Sequence, residues 1–158
     1  QCEHRQAAWY ACSKILDENI GTDSCLLLVA AFTFDPCQGD TFTALTAGAS
    51  LYLAPRERLL QELAEMLRLS LATHLCGTPA LWSLMGELAD TVPSLQHLSL
   101  GGEAMPRGMI ESWASSGNVV LRNIYGVTEA TVYQTSMVMA PDTPPQLAGS
   151  PLPGVELA

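Results

Sequence analysis

The sequence predicts an α/β domain, a mostly parallel sheet flanked by helices on both faces. Three observations lead there. Short continuous apolar runs of strand length recur along the chain. Stretches with helical spacing of apolar residues lie between them. The connections are short and punctuated by Gly or Pro, the pattern of repeated strand–helix units. A chain of 158 residues fits one domain with a sizeable core, and 48% hydrophobic against 15% charged residues implies that much of it is buried.

Taken in order, residues 4–16 read as a helix with Ala8, Ala11, Cys12 and Ile15 on its buried side. The unbroken run 26–32, Leu26-Leu27-Leu28-Val29-Ala30-Ala31-Phe32, suits a strand covered on both faces. Leu51-Tyr52-Leu53 is a short second strand after Gly48. Residues 56–69 place Leu59, Leu60, Leu63, Met66 and Leu67 on one face of a single helix. Thr73-His74-Leu75-Cys76 is a strand ended by Gly77, and Pro79 opens a helix with Leu81, Leu84, Met85 and Leu88 on one side. Residues 95–100 form a strand closed by Gly101-Gly102; Pro106 opens a helix with Met109, Ile110 and Trp113; residues 119–122 are a further strand. Residues 141–158 carry Pro141, Pro144, Pro145, Pro151 and Pro153 and are expected as an extended connection, leaving 1–140 as the α/β unit. No internal repeat or low-complexity tract occurs.

A net charge of −9 argues against a nucleic-acid or anionic-membrane surface. Lys14 is the only lysine, so a phosphate site within this chain must use backbone N–H groups or Arg. The five cysteines, Cys2, Cys12, Cys25, Cys37 and Cys76, are odd in number and form no CxxC pair, which favours free thiols in a reducing, cytoplasmic setting. Apolar runs fall far short of a membrane span, and the first residues lack a signal-peptide pattern.

Ligands of open parallel sheets sit at the carboxyl ends of the strands. Four such ends carry unusual residues: Phe34-Asp35-Pro36, Cys76-Gly77-Thr78, Gly101-Gly102-Glu103 and Asn123-Ile124-Tyr125-Gly126-Val127-Thr128-Glu129. In the last of these, Tyr125 can stack on a base, Thr128 can donate to a phosphate, and Glu129 is a hard oxygen ligand for Mg²⁺. Plainer roles stand beside these: Tyr125 as a core aromatic, Thr128 as a helix N-cap, Glu129 as a surface acid, Gly101 and Gly102 as turn residues. Asp35 is either a solvated turn residue before Pro36 or a carboxylate awaiting a cation, since burying it unpaired is costly. Cys76 reads as an inert buried thiol rather than a nucleophile. His74 reads as packed or hydrogen-bonded in its strand; His4 and His97 read as surface residues; Trp9, Trp82 and Trp113 are core or interface candidates on helices.

These segments, in this order, resemble the central part of an adenylation domain of nonribosomal peptide synthetases, within the superfamily that includes acyl- and aryl-CoA ligases. The matching stretches are Phe34-Asp35 with Gly48-Ala49-Ser50-Leu51-Tyr52, Thr73-His74-Leu75 with Thr78-Pro79, Leu100-Gly101-Gly102-Glu103-Ala104, residues 123–129 with Val127 where the family carries Pro, and Gly149-x-Pro151-x-Pro153-Gly154. The resemblance covers essentially the whole chain. It implies a flavodoxin-like, substrate-selecting subdomain, with the phosphate loop expected before Gln1 and the hinge and catalytic lid expected after Ala158.

The resemblance implies that an amino-acid carboxylate is joined to the α-phosphate of ATP with Mg²⁺, then passed to a carrier-protein phosphopantetheine thiol. Thr128 and Glu129 would act in catalysis, with Glu129 as metal ligand. Gly102, Glu103, Asn123, Tyr125, Gly126 and Thr128 would surround the nucleotide. Asp35 would hold the substrate ammonium, and Pro36, Gly39, Cys76, Ser99, Gly101, Ile124, Val132 and Tyr133 would line the side-chain pocket. No charge occurs among those eight, so a neutral side chain is expected; Gly39 and Gly101 leave space, which leans toward a large apolar or aromatic one. The partners implied are ATP, the amino acid, the remainder of the domain and a carrier protein. Alone, the chain is expected to be inactive and to expose apolar surface that invites self-association. Two alternatives stay open: part of a carboxylate–CoA ligase, whose substrate lacks an α-amine, and a non-catalytic module that kept the fold.

Overall fold

A computed structural model describes residues 1–85 and 92–156. Its strands β1 (Cys25–Leu27), β2 (Ser50–Tyr52), β3 (His74–Gly77), β4 (His97–Gly101), β5 (Val120–Tyr125), β6 (Thr135–Val138) and β7 (Ser150–Pro151) form one sheet in the order β2-β1-β3-β4-β5-β6-β7. The first five strands run parallel, and β6 and β7 add antiparallel at one edge. Strand order reverses beside β1, where β2 lies to one side and β3 to the other. A crevice at the carboxyl ends is expected at such a switch.

Helices α1 (His4–Glu18) and α2 (Asp35–Ala47) cover one face. Helices α3 (Arg56–Gln61), α4 (Leu63–Ser70), α5 (Pro79–Trp82) and α6 (Arg107–Ala114) cover the other. The side-chain alternation of each strand sorts the two layers. Leu27, Leu75, Leu98, Leu100 and Leu121 pack with Leu63, Leu67, Trp82, Ile110 and Trp113 in the main core. On the opposite face, Leu26 meets Ile20 and Ala44, while Cys76 and Ile124 meet Tyr10 and Tyr133.

The opposite face is unusually polar for a sheet interior. His74, Ser99 and Arg122 are all buried there. They serve the end of α1, whose last carbonyls have no helical partner. His74 Nε2 contacts the Glu18 carbonyl at 3.0 Å, and Arg122 Nη2 donates to the Asp17 carbonyl at 2.5 Å. Asn19 then ends the helix in the left-handed region, φ 53°.

Several elements differ from the sequence reading. The run 26–32 leaves the sheet after Leu27, and Phe32 is 84% exposed. Its backbone turns through a Phe34 N–H to Ala31 carbonyl bond, so apolarity there marks the rim of a cavity rather than a strand. The single helix expected over 56–69 is two, broken at Glu62, where φ is −136°. Helix α5 is one turn, continued by a 3₁₀ turn at Ser83–Met85; Trp82 and Met85 are buried while Leu84 faces out, and Leu88 lies outside the described residues. Helix α1 buries Tyr10, Ala11, Ser13, Lys14 and Glu18, whereas Ala8 and Cys12 are exposed. His97 is half-buried and stacked on His74, with ring centroids 4.6 Å apart, rather than on the surface. Residues 141–158 supply β7 and bury Leu152 against this face, with the Pro153 carbonyl accepting from Ser13 Oγ at 2.6 Å. Among the described residues no helix is long and apolar enough to cross a membrane.

Candidate functional site

The carboxyl ends of β1, β3, β4 and β5 converge on one cavity of about 630 Å³. Asp35 and Pro36 enter it from the start of α2, Cys76 from β3, Gly101 and Gly102 from the end of β4, and Ile124, Gly126 and Thr128 from the end of β5. Val132 and Tyr133 close it from the segment before β6. Thus Asp35 and the loop after Tyr125 share one cleft.

Asp35 is the first residue of α2, so the positive end of the helix dipole favours its charge. One carboxylate oxygen, Oδ2, is buried and has no hydrogen-bond partner. The Asp35 side chain lines the cavity, where a carboxylate with an unpartnered oxygen can take a cationic donor. Arg56 also lines this cavity, between the apolar Leu59 and Leu60 and solvent.

A charge network lies behind the pocket wall. Lys14 Nζ contacts Asp40 Oδ1 at 2.5 Å and Glu18 Oε2 at 4.0 Å, all three side chains being nearly inaccessible. Burial alone would lower the Lys14 pKa, but the two carboxylates outweigh it and hold the ammonium charged. Burial likewise raises Glu18, yet Lys14 and the Ser99 hydroxyl bring its pKa below the usual carboxylate value. Ser99 Oγ donates to Glu18 Oε1 at 2.7 Å and Tyr133 Oη donates to the same oxygen at 3.0 Å. Burial pushes the Cys76 thiol far up, which keeps it neutral and unreactive.

The loop that follows β5 is held from within. Gln134 Oε1 accepts from the Val127 N–H at 2.9 Å, and Gln134 Nε2 donates to the Ala130 carbonyl at 3.0 Å. Inside this clamp Thr128–Ala130 forms a 3₁₀ turn. Thr131 and Val132 follow with φ of 75° and 65°, two β-branched residues in the left-handed region. Such conformations cost on the order of 1–3 kcal/mol each and collect at functional sites.

Other expected site residues fall elsewhere. Ser99 is fully buried with its hydroxyl turned to Glu18, so it backs the pocket instead of lining it. Gly39 lines a smaller adjoining cavity of about 270 Å³ with Asp35, Thr128 and Val132. The space it was expected to leave is filled by Tyr10: a Cβ at Gly39 would lie 2.8 Å from Tyr10 Cε1. Gly101 also opens no room, because a Cβ there would collide with the Ile124 carbonyl of the paired strand. Gly102 is a turn residue, φ 81°. Glu103 Oε1 accepts from the Ala80 N–H at 2.7 Å, capping α5 together with Thr78. Asn123 is buried, and its amide donates to the Leu147 carbonyl at 2.9 Å, tying down the tail. Tyr125 is 58% exposed and lines a separate groove of about 770 Å³ beside Trp9. Glu129 is exposed on the 3₁₀ turn. The residues that sequence reasoning missed are Tyr10, Glu18, Asp40 and Gln134. Only partners distant in sequence give them meaning.

Comparison with known proteins agrees with this geometry. The chain is 38% identical over 135 residues to the nonribosomal peptide synthetase sidE of Aspergillus fumigatus, an alignment that takes in 85% of this chain and 6% of that protein. It is 34% identical over 148 residues to novobiocin biosynthesis protein H of Streptomyces niveus, covering 93% of this chain and 24% of the other. Among solved structures, IdnL1 superposes with a TM-score of 0.83 at 25% identity over 96% of this chain and 33% of its own. The Vibrio cholerae adenylation domain AlmE, solved with glycyl-adenosine-5′-phosphate, superposes with a TM-score of 0.81 at 23% identity over 89% of this chain and 27% of its own. The chain therefore spans a minor part of each of these relatives. A profile of AMP-binding enzymes matches residues 1–158, from end to end of a chain whose strand ends build this cleft, and the protein belongs to the AMP-binding enzyme family.

Proposed function

We propose that this chain is the substrate-selecting part of an adenylation domain, and that the whole domain activates an α-amino acid as its aminoacyl-AMP. The observation that carries the reading is Asp35, which lines a cleft built from four strand ends and whose Oδ2 has no hydrogen-bond partner. A substrate ammonium seated there completes an ion pair that the fold leaves open. The substrate carboxylate then lies toward Thr128 and Gly126. One of its oxygens attacks the α-phosphorus of ATP, and the bond to pyrophosphate breaks. Thr128 would donate to a phosphate oxygen, and the Gly102 turn would let backbone approach the nucleotide. Tyr125 would stack on the base from the neighbouring groove, while Glu103 and Asn123 serve by holding the loops that flank it.

The donor set bears on the metal. Among the described residues no group of three His, Cys, Asp or Glu could hold an ion. Glu129 alone would therefore bind Mg²⁺ jointly with phosphate oxygens and water, the usual manner for this ion; the bound ion supplies offset of the charge between two approaching anions. The acyl group would pass to a carrier-protein phosphopantetheine thiol. Free thiols throughout the chain suit a cytoplasmic setting. Residues 1–140 would form the selecting unit and 141–158 the connection to the rest.

The test is ATP–pyrophosphate exchange by the complete adenylation domain over a panel of amino acids and their des-amino counterparts. Amino-acid-dependent exchange that the des-amino acids do not support is expected. Equal exchange with des-amino acids would point to a carboxylate–CoA ligase, and no exchange with any acid to a non-catalytic module.

A further inference from the structure

We propose that Tyr10, on α1, is a specificity-determining residue whose ring sets the depth of the amino-acid pocket; the proposal rests on the adenylation reading above. Gly39 lines the smaller adjoining cavity from α2, yet the volume its missing side chain leaves is taken. A Cβ there would stand 2.8 Å from Tyr10 Cε1, 3.2 Å from Tyr10 Oη and 3.1 Å from Val132 Cγ1. The floor that a larger residue on α2 would build is built here from α1.

The ring is held rigidly. It meets Tyr133 edge-on, with centroids 5.2 Å apart and planes at 88°. Tyr133 is itself fixed by its bond to Glu18. Tyr10 is 5% exposed and its hydroxyl is buried without a hydrogen-bond partner. The buried ring contributes packed volume to the wall of the smaller cavity. Tyr10 lines the smaller cavity, which shares Asp35, Thr128 and Val132 with the main one. A side chain that extends from an ammonium at Asp35 into the smaller cavity thus meets this ring. Pocket depth is a question of packed volume, and one methylene in such a site changes discrimination by about 10–200-fold.

The experiment compares wild type, Tyr10→Ala, Tyr10→Phe and Gly39→Ala in the complete adenylation domain. The readout is the ranking of kcat/KM in pyrophosphate exchange over neutral amino acids of rising side-chain size. Tyr10→Ala is expected to raise the ratio of bulky to small substrates at least about tenfold. Gly39→Ala, by crowding the ring against Val132 and Tyr133, is expected to move the ratio the other way. Tyr10→Phe keeps the ring and retains the wild-type ranking, whatever its overall rate. If Tyr10→Ala fails to fold, Tyr10→Leu carries the same expectation, and Gly39→Ala keeps the opposite one. A size ranking within about threefold of wild type in the folded variants, against the tenfold scale expected of a pocket wall, overturns the proposal. A wild-type domain that exchanges with no amino acid overturns the adenylation reading itself, and this proposal with it.

Discussion

Replacing Asp35 by alanine in the complete adenylation domain removes, among the described residues, the one carboxylate that lines the main cavity. The bound state then buries the substrate ammonium without a counter-charge. Breaking a buried ion pair on one side costs about 3–5 kcal/mol. At 1.36 kcal/mol per tenfold, kcat/KM should fall about 200- to 5,000-fold. The free protein should respond in the opposite sense or hardly at all, because the variant also removes an unsatisfied buried oxygen; loss of a favourable charge at the start of α2 offsets this by about 0.3–1 kcal/mol. Exchange kinetics alongside thermal melts separate the two effects. Asp35→Asn keeps the shape and should lose nearly as much, which isolates charge from packing. A des-amino acid makes no ion pair, so its binding should be unchanged or improved in the alanine variant. Exchange within threefold of wild type would refute the reasoning, and so would an equal loss for acids with and without the amine.

Three further perturbations probe the support around the site. Lys14→Met strands Asp40 and Glu18 as buried carboxylates and should cost about 3–5 kcal/mol, a fall in Tm of about 6–20 °C; the triple variant with Asp40→Asn and Glu18→Gln should recover most of it in the same melts. Gln134→Ala removes both ends of the clamp on the 127–131 loop, about 1–3 kcal/mol of hydrogen bonding, and should raise KM for ATP more than KM for the amino acid. Acidification should destabilise the fold between pH 6.5 and about 4, because burial and then the neighbouring His74 lower the His97 pKa from 6.5 to about 4. In that window the unfolded chain binds more protons, so stability rises with pH and is complete above 6.5. Urea titrations across pH 4–7.5 should show this slope, and His97→Gln should reduce it, leaving the part due to His74, whose pKa burial also lowers.

The sheet and its cleft were legible because their signals are local. Apolar runs followed by Phe34-Asp35-Pro36, by Gly77, by Gly101-Gly102 and by the Tyr125 loop marked four strand ends, and the structure brings all four to one cavity. Helix α2 was not legible. Its buried side holds Cys37, Gly39, Asp40, Thr43 and Ala44, which has no apolar period to read. Helix α1 was legible as a helix, but its buried side was not: a charged residue, Lys14, is 1% exposed because its partner sits 26 positions along the chain. Strands β6 and β7 are short and lie at an antiparallel edge, where Ser136 and Pro151 give no alternation. Ser99 was expected in the pocket from the family resemblance. Only the approach of Glu18 shows that its hydroxyl points away.

The polar inner face of the sheet and the strain in the cavity wall belong to one arrangement. Thr131 and Val132 hold positive φ values that an isolated loop would relax. They stay because both flanks are fixed. On one side Gln134 binds the 127–130 turn, and Gly126 lets the Tyr133 backbone pack directly against it, where any Cβ would collide. On the other side Tyr133 is tied through Glu18 to Ser99 of β4, and Glu18 is anchored by Lys14 and, through its carbonyl, by His74 of β3. An apolar interface could fill the same volume but would let the Val132 wall slide, since dispersion contacts have little directional preference. Directional bonds to one carboxylate set the wall's position relative to two neighbouring strands. The buried charges of α1 are thus better understood as the frame of the selecting pocket than as a source of stability, for which a buried ion pair is weak evidence.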